Sequence, residues 1–236
     1  MVTFRLDSES ISLDLPDAAK KEVDFLDSTF FTVPNRHLPS PEEVAALSDG
    51  LGKISRPNTL VIGGLNLLTK FGPHVTPLEA ANLWMVRRVF NNTVPVPEVF
   101  GWRTDDWGYV FIYTEFIKGP TLFEHWPSLG SLEKRAICDQ LAGLAQSLRQ
   151  LEQDPSDPFI DGVAIRFTHA DLHRANIIVT PSSAGWYPEY WEYCKALYTA
   201  SYGDEWRRDG YIERVIDPWE DVYLVWSEYC MAMGAV

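Results

Sequence analysis

The segment that decides the fold, residues 167–179, reads FTHADLHRANIIV. It places Asp171 and Asn176 five residues apart, immediately before an apolar run that is typical of a strand. Phosphoryl transfer needs a carboxylate that orients the attacking hydroxyl, and oxygen ligands that hold magnesium against the phosphates. One loop with an Asp and an Asn at this spacing can supply both groups. The spacing alone is common in loops, and the flanking histidines at positions 169 and 173 make it more specific.

A hairpin and a helix are predicted upstream of this loop. Residues 59–62 and 65–71 are apolar and flank a pair of glycines, which predicts two antiparallel strands. Residues 76–90 begin with Thr-Pro and carry apolar residues three and four positions apart, which predicts a capped helix. Lys70 is near the end of the second strand, and Glu79 is in the first turn of the helix. A strand cation that holds nucleotide phosphates needs such a helical acid to position it, so both residues are candidates.

Further patterns predict strands at 99–103 and 109–116, and helices at 20–31, 41–47, 121–126 and 131–152, with a mostly helical, aromatic-rich segment from 186 to 236. Strands and one helix therefore precede a mainly helical half. This segregation predicts an α+β protein with a sheet lobe and a helical lobe.

A candidate hinge for a nucleotide base follows the second of these strands. Residues 113–119 read YTEFIKG, an apolar strand that runs into a glycine-containing break. Backbone groups near Glu115 and Ile117 are candidates for hydrogen bonds to adenine. An ordinary strand end explains the same residues equally well.

Charge and composition exclude several classes of partner. The formal net charge is −13, from 20 Lys and Arg against 33 Asp and Glu, so we expect no nucleic-acid partner and no anionic membrane surface. The sequence has no apolar run of the length that a membrane span or a signal peptide requires. Its three cysteines are far apart and have no metal-binding spacing. We therefore expect a cytoplasmic protein.

Four segments, in the same order, resemble the aminoglycoside-phosphotransferase family of the protein-kinase-like superfamily. They are LLTKFGPHVTPLEA (67–80), VPVPEVFGW (94–102), FIYTEFIKGPTL (111–122) and FTHADLHRANIIV (167–179). A fifth, GWYPEYWEYCKA (185–196), resembles fungal members in particular. The likeness covers roughly residues 58–235, and its most specific part is the segment that contains Asp171.

The resemblance implies a protein-kinase-like, two-lobed α+β fold. Residues 1–57 would form an N-terminal extension, and 58–118 an N-lobe with a small antiparallel sheet and one helix. Residues 119–236 would form a mainly helical C-lobe that carries the catalytic loop.

The resemblance also implies the role of each candidate residue in an ATP-dependent phosphotransferase that acts on a small-molecule hydroxyl. Lys70 would hold the phosphates of ATP and Glu79 would pair with Lys70. Asp171 would be the catalytic base, and Asn176 would ligate Mg²⁺. The acidic chain suits a cationic small-molecule acceptor.

The sequence departs from the family at two places. The family has a second magnesium-binding Asp after the catalytic loop, but no Asp occurs between Asp171 and Asp204. The helical stretch that the family places before this loop is reduced to residues 152–167. Both gaps are flanked by intact motifs, as if two internal segments had been lost. We therefore expect a weakened magnesium site and impaired catalysis.

Two alternatives remain open on the sequence. A non-catalytic kinase-like protein that binds a nucleotide or another small molecule would also lack the second Asp. A metallohydrolase could use His169, Asp171 and His173 as zinc ligands, although no second cluster of ligands is evident. The acidic segment 217–221, DPWED, could line an acceptor site or form a solvated loop.

Overall fold

The computed structural model describes residues 2–48, 57–91, 93–153, 165–168 and 185–232. These residues form two compact units. The sheet unit is Asp14–Lys118, and the helical unit comprises the described residues of Met1–Leu13 and Gly119–Val236. Small antiparallel sheets and several helices occur together, so the predicted α+β class is confirmed.

Strands and helices make up most of the described chain. The strands are β1 (Val2–Leu6), β2 (Glu9–Leu13), β3 (Glu22–Asp24), β4 (Asn58–Ile62), β5 (Leu67–Gly72), β6 (Val99–Thr104), β7 (Val110–Glu115), β8 (Glu152–Gln153), β9 (Ile165–Thr168) and β10 (Gly185–Pro188). The α-helices are α1 (Pro41–Leu47), α2 (Pro77–Phe90), α3 (Leu122–His125), α4 (Ser131–Arg149), α5 (Trp191–Thr199), α6 (Glu205–Arg208), α7 (Tyr211–Val215) and α8 (Glu220–Ala232). Short 3₁₀ helices cover Thr29–Thr32, Gly63–Leu65 and Trp126–Ser128.

The sheet unit is built on a five-stranded antiparallel sheet in the order β3-β6-β7-β5-β4. The predicted hairpin is confirmed as β4 and β5, which pair from Asn58 with Phe71 to Ile62 with Leu67. Asn66 closes the turn in the left-handed region, at φ 54°, which Asn tolerates better than most residues. The two predicted strands that follow α2 are confirmed as β6 and β7.

Both faces of this sheet are covered. Side chains alternate between the two faces along each strand, so each face has its own set of buried residues. The face under α2 buries Phe25, Val75, Ala80, Leu83, Val99, Trp102, Val110 and Ile112. The opposite face is covered by chain from before β4 and buries Phe30, Leu38, Val44, Leu67, Phe71, Phe100, Phe111 and Tyr113. A register shift between Val99 and Gly101 puts Val99 and Trp102 on the same face although they are three residues apart.

The prediction of a helix over residues 20–31 was wrong. Residues 22–24 form the edge strand β3, whose Val23 pairs with Trp102, and residues 29–32 form a 3₁₀ helix. Arg103 stabilises this edge strand, since its Nη1 donates to the Val23 carbonyl at 3.1 Å and its Nη2 to Asp24 at 2.6 Å. Contacts with a distant strand thus override a local pattern that also suits a helix.

The helical unit contains two further sheets and most of the helices. Strands β2, β1 and β8 form one antiparallel sheet, and β9 pairs with β10. The predicted long helix is confirmed as α4, although it ends three residues earlier than expected. Its Leu132 is 81% exposed, and the first buried residue of the helix is Lys134.

All three cysteines lie in this unit, are free and are buried. Burial raises the pKa of the Cys138 thiol and of the Cys194 thiol to about 11 each. Because the thiolate is the reactive form, only about one thiol in a thousand would be reactive at pH 8. These two residues are therefore inert structural cysteines in the folded protein.

Iodoacetamide at pH 8 is accordingly expected to leave Cys138 and Cys194 unmodified in the native protein and to label both in urea, as mass spectrometry of peptides would show. Since both thiols stay neutral in the fold above their ordinary pKa of 9.0, the free energy of unfolding should fall as the pH rises from about 9 to 11. Native labelling as fast as that of free cysteine would contradict the burial.

Candidate functional site

Lys70 is positioned by the alternation of side chains along β5. Leu67 and Phe71 enter the core on the face away from α2, so Lys70 points to the face that α2 covers. Its neighbours across the sheet are Thr59 on β4 and Ile112 on β7. A lysine on an interior strand of the five-stranded sheet is thus held beneath the first turn of a helix.

Glu79 receives this lysine. The Lys70 Nζ donates to the Glu79 Oε2 at 2.7 Å, and the side chains are only 20% and 13% exposed. The other carboxylate oxygen, Oε1, accepts from the backbone N–H of Thr76 at 3.3 Å, so the same side chain helps to cap α2. The structure brings together the two candidate residues that the sequence places nine positions apart.

The electrostatics of this pair reflect its partial burial. Burial raises the pKa of Glu79, and the Lys70 ammonium, by charge and by hydrogen bond, offsets only part of that effect. An ammonium has three N–H donors, and Glu79 is the only partner observed for Lys70 among the described residues. The pair can therefore bind an anionic group while Glu79 holds the lysine side chain in place.

The candidate hinge residues end the neighbouring strand. Glu115 is the last residue of β7, and its backbone N–H donates to the carbonyl of Glu98 at 2.8 Å. The next residue, Phe116, donates to the Asn66 carbonyl at 3.1 Å. Ile117 follows with its side chain 37% exposed, a large apolar group at the end of the sheet. Any adenine contact at Glu115 would therefore use its carbonyl rather than its N–H.

The position of the remaining candidate residues relative to this pair is not described. Asp171 and Asn176, with His169 and His173, lie outside the described residues. What is described is the pair of strands on either side, in which Thr168 and Gly185 are paired across β9 and β10. The distance from the Lys70 pair to Asp171 stays a prediction.

A cavity of about 680 Å³ lies within the helical unit, a volume in the range of small-molecule sites. Its charged lining residues are Arg5, Asp7, Arg149, Glu152, Glu189 and Asp217. Trp219 adds an aromatic surface. The Arg149 Nη1 donates to Asp217 at 3.3 Å, and its Nη2 is 3.5 Å from the buried Glu192. Four carboxylates against two guanidinium groups make the lining acidic.

The sequence predicts only part of the lining of this cavity. Asp217 was considered for an acceptor site because of the acidic DPWED segment, and the structure places it in the lining. Arg5 and Asp7 were missed. They come from the β1–β2 hairpin, whose β1 strand pairs with β8, and no local pattern indicates that pairing.

Known proteins do not identify a family for this chain. No protein-family model matches it, and no curated protein matches its sequence. The kinase-like interpretation therefore depends on the segments quoted above and on the geometry of the Lys70–Glu79 pair.

Neither a metal cluster nor a membrane span is found in the part of the chain that the structure describes. Within those ranges, no three His, Cys, Asp or Glu side chains are grouped as metal ligands. No described helix is both long and apolar enough to cross a membrane. The predicted magnesium ligand Asn176 and the alternative zinc ligands lie outside the described residues.

Proposed function

We propose that this chain is a phosphotransferase of the aminoglycoside-phosphotransferase type, which transfers a phosphoryl group from ATP to a small-molecule hydroxyl in the cytoplasm. The proposal includes the two-lobed kinase-like arrangement, with the sheet unit as the nucleotide-holding lobe. The observation that carries it is the Lys70–Glu79 ion pair at 2.7 Å.

The pair supports the proposal because it differs from an ordinary surface salt bridge. Exposed pairs stabilise proteins little, and their long side chains sample many conformations. Here both side chains are at most 20% exposed, and Glu79 is fixed by its second contact at the helix start. A lysine held in this way is suited to bind nucleotide phosphates, which a kinase-like enzyme requires.

The nucleotide would be positioned by groups of the sheet unit. Lys70 would bind phosphate oxygens, and the base would meet the carbonyl of Glu115 and the N–H of Ile117. ATP would supply the phosphoryl group. Asp171 would orient the acceptor hydroxyl and take its proton as transfer proceeds.

Magnesium would be held through Asn176, without the second Asp that the family normally provides. No Asp occurs between Asp171 and Asp204, so charge neutralisation at the phosphates is expected to be incomplete. This same observation favours a second candidate function, a non-catalytic kinase-like protein that binds a nucleotide or a small molecule without turnover.

The acceptor is proposed to be a cationic small molecule. The acidic lining of the 680 Å³ cavity supports this choice, because its four carboxylates would attract amino groups. Trp219 adds an aromatic face on which a cation can be stabilised.

Replacing Lys70 by Met tests the nucleotide site. ATP is expected to raise the Tm of the wild-type chain, and Lys70→Met should weaken ATP binding by about tenfold to a hundredfold, as expected for the loss of a charge-assisted contact. The measurement is isothermal titration with ATP, with and without Mg²⁺. Lys20→Met is the matched control, since Lys20 is an exposed lysine of the same unit.

Two further results distinguish the candidates. ADP formation that depends on Mg²⁺ supports the enzyme, whereas tight ATP binding with no ADP formation supports the non-catalytic protein. If ATP binds equally well to the wild type and to Lys70→Met, neither nucleotide-based function survives.

A further inference from the structure

A second, smaller cavity lies in the sheet unit between the residues that follow β3 and the second half of α2. Its volume is about 100 Å³. Six polar or charged groups line it, from Asp27, Ser28, Trp84, Arg87, Arg88 and Glu98. Phe25 and Val99 complete its walls. None of these residues has a role in the proposed phosphotransferase.

Two buried hydrogen-bonding groups in this lining have no partner among the described residues. Ser28 is only 4% exposed, and its Oγ makes no hydrogen bond. The Nε1–H of Trp84 is also buried without an acceptor. Buried polar groups in native proteins are almost always paired with protein, water or a ligand. Both groups can donate, and neither reaches an acceptor among the described residues.

The carboxylates of the lining do not meet this need, because neither makes a hydrogen bond with the Ser28 hydroxyl or the Trp84 N–H. Glu98 accepts from the backbone N–H of Thr29 at 3.2 Å and from the Thr29 hydroxyl. Asp27 forms an ion pair with Arg88. None of the described residues therefore supplies the acceptor that Ser28 and Trp84 lack.

The two arginines provide positive charge beside these unpaired donors. Arg87 donates from Nη1 to the Val96 carbonyl at 3.3 Å, which leaves its Nε and Nη2 edge available among the described residues. That edge can bind an oxyanion through two parallel hydrogen bonds. The Arg88 guanidinium lies 4.2 Å from the Trp84 ring centroid, and Phe25 stacks on the same ring at 5.7 Å, so the indole is firmly held.

The cavity is accessible and large enough for a small ligand. Its floor contains the buried Ser28, whereas the side chains of Arg88 and Asp27 at its rim are 40% and 63% exposed. A water molecule occupies about 30 Å³ of liquid volume, so the space corresponds to roughly three waters or one tetrahedral anion.

We propose that this cavity binds a small tetrahedral oxyanion, of the size of phosphate or sulfate, through Arg87, the Ser28 hydroxyl and the Trp84 indole N–H. The oxyanion supplies the acceptor oxygens that the two buried groups lack, and the Arg87 guanidinium offsets part of its charge. Because Asp27 is paired with the Arg88 guanidinium, it opposes the anion less than a free carboxylate would.

This site is separate from the candidate nucleotide site. Arg87 is eight residues beyond Glu79 on α2, which is about 12 Å along the helix axis at 1.5 Å per residue. Binding at one site can therefore be lost while the other is retained, and a test of the oxyanion does not depend on the proposed phosphotransferase.

Thermal unfolding of the full chain in inorganic phosphate tests the proposal, with chloride at equal ionic strength as the reference. At ten times the dissociation constant, phosphate should raise the Tm by about 3 to 6 °C relative to chloride. The Trp84 indole N–H resonance, assigned with the Trp84→Phe variant, should move with the same saturation curve. Arg87→Gln and Ser28→Ala should each lose most of both responses.

Two controls separate this site from other sources of a phosphate effect. Arg135→Gln removes an exposed arginine of α4 and should keep the full response. Lys70→Met should keep the response of the Trp84 indole N–H, because Lys70 belongs to the separate nucleotide site. The proposal is overturned if phosphate and chloride act alike, if Arg87→Gln responds like the wild type, or if that indole response disappears in Lys70→Met.

Discussion

The Gly101→Ala variant is expected to lose about 3 kcal/mol or more of the free energy of unfolding. A β-carbon at this position would lie 2.2 Å from the carbonyl oxygen of Val23 and 2.8 Å from a methyl group of Leu38. The first of these atoms is backbone of β3, which pairs with β6, so it cannot move without breaking the edge of the sheet. The φ angle of Gly101, 157°, adds strain for any other residue. Since whole domains are stable by only about 5–15 kcal/mol, this loss would be a large fraction of the total.

Urea denaturation followed by far-UV circular dichroism measures this loss. Gly143→Ala is the matched control, because Gly143 lies within α4 and a β-carbon added there would meet no neighbouring atom within 4 Å. That change should stabilise the helix by about 0.5–1 kcal/mol. If Gly101→Ala unfolds at the same urea concentration as the wild type, the close approach of β3 to β6 is wrong. Hydrogen exchange at residues 22–24 would show whether β3 detaches before the unit unfolds.

The Asp171→Asn variant is expected to lower the rate of phosphoryl transfer by about 10² to 10⁴-fold. An amide keeps the size of the side chain but cannot take the proton of the acceptor hydroxyl. ATP binding should change little, because the nucleotide phosphates are assigned to Lys70. The measurement is ADP production from ATP and Mg²⁺ in the presence of a cationic amino sugar, with water as the background acceptor.

The control for this variant is Asp106→Asn. The Asp106 side chain is 99% exposed in the sheet unit, so this substitution should leave the rate of phosphoryl transfer unchanged. Equal rates of ADP production in the wild type and in Asp171→Asn would remove the assigned role of base. A wild type that binds ATP but forms no ADP would instead favour the non-catalytic alternative, as the absence of an Asp between positions 171 and 204 suggests.

Local chemistry was sufficient to predict several elements of the sheet unit. The hairpin of β4 and β5 follows from two apolar runs around a turn, and α2 begins where its Thr-Pro start predicts. The start of α1 was predicted equally well, since the Ser40 Oγ accepts from Glu43 at 3.3 Å and Glu43 accepts from the Ser40 N–H at 2.7 Å. Turns, caps and alternation involve residues close in sequence, so one short segment contains the whole interaction.

The candidate site was predictable only in part. Lys70 and Glu79 were chosen from their positions on a strand and on the next helix, and the structure joins them at 2.7 Å. Asp171 and Asn176 stay predictions, because they lie outside the described residues. The unpaired donors of the small cavity could not be predicted from the sequence, since the lack of a partner for Ser28 or Trp84 is recognised only when the surrounding residues are known.

The sequence by itself determined the α+β class, the strand that carries Lys70 and the helix that carries Glu79. The tertiary structure alone decided that residues 22–24 join the sheet and that Gly101 must lack a side chain. It also decided which charged residues of β1 and α4 line one cavity. The physical reason is distance along the chain, as in the hydrogen bond from the Trp102 indole to the Lys20 carbonyl, 82 residues apart. Such contacts form only when the interactions made on folding compensate the entropy lost in closing a long loop. A local sequence pattern does not show whether they do.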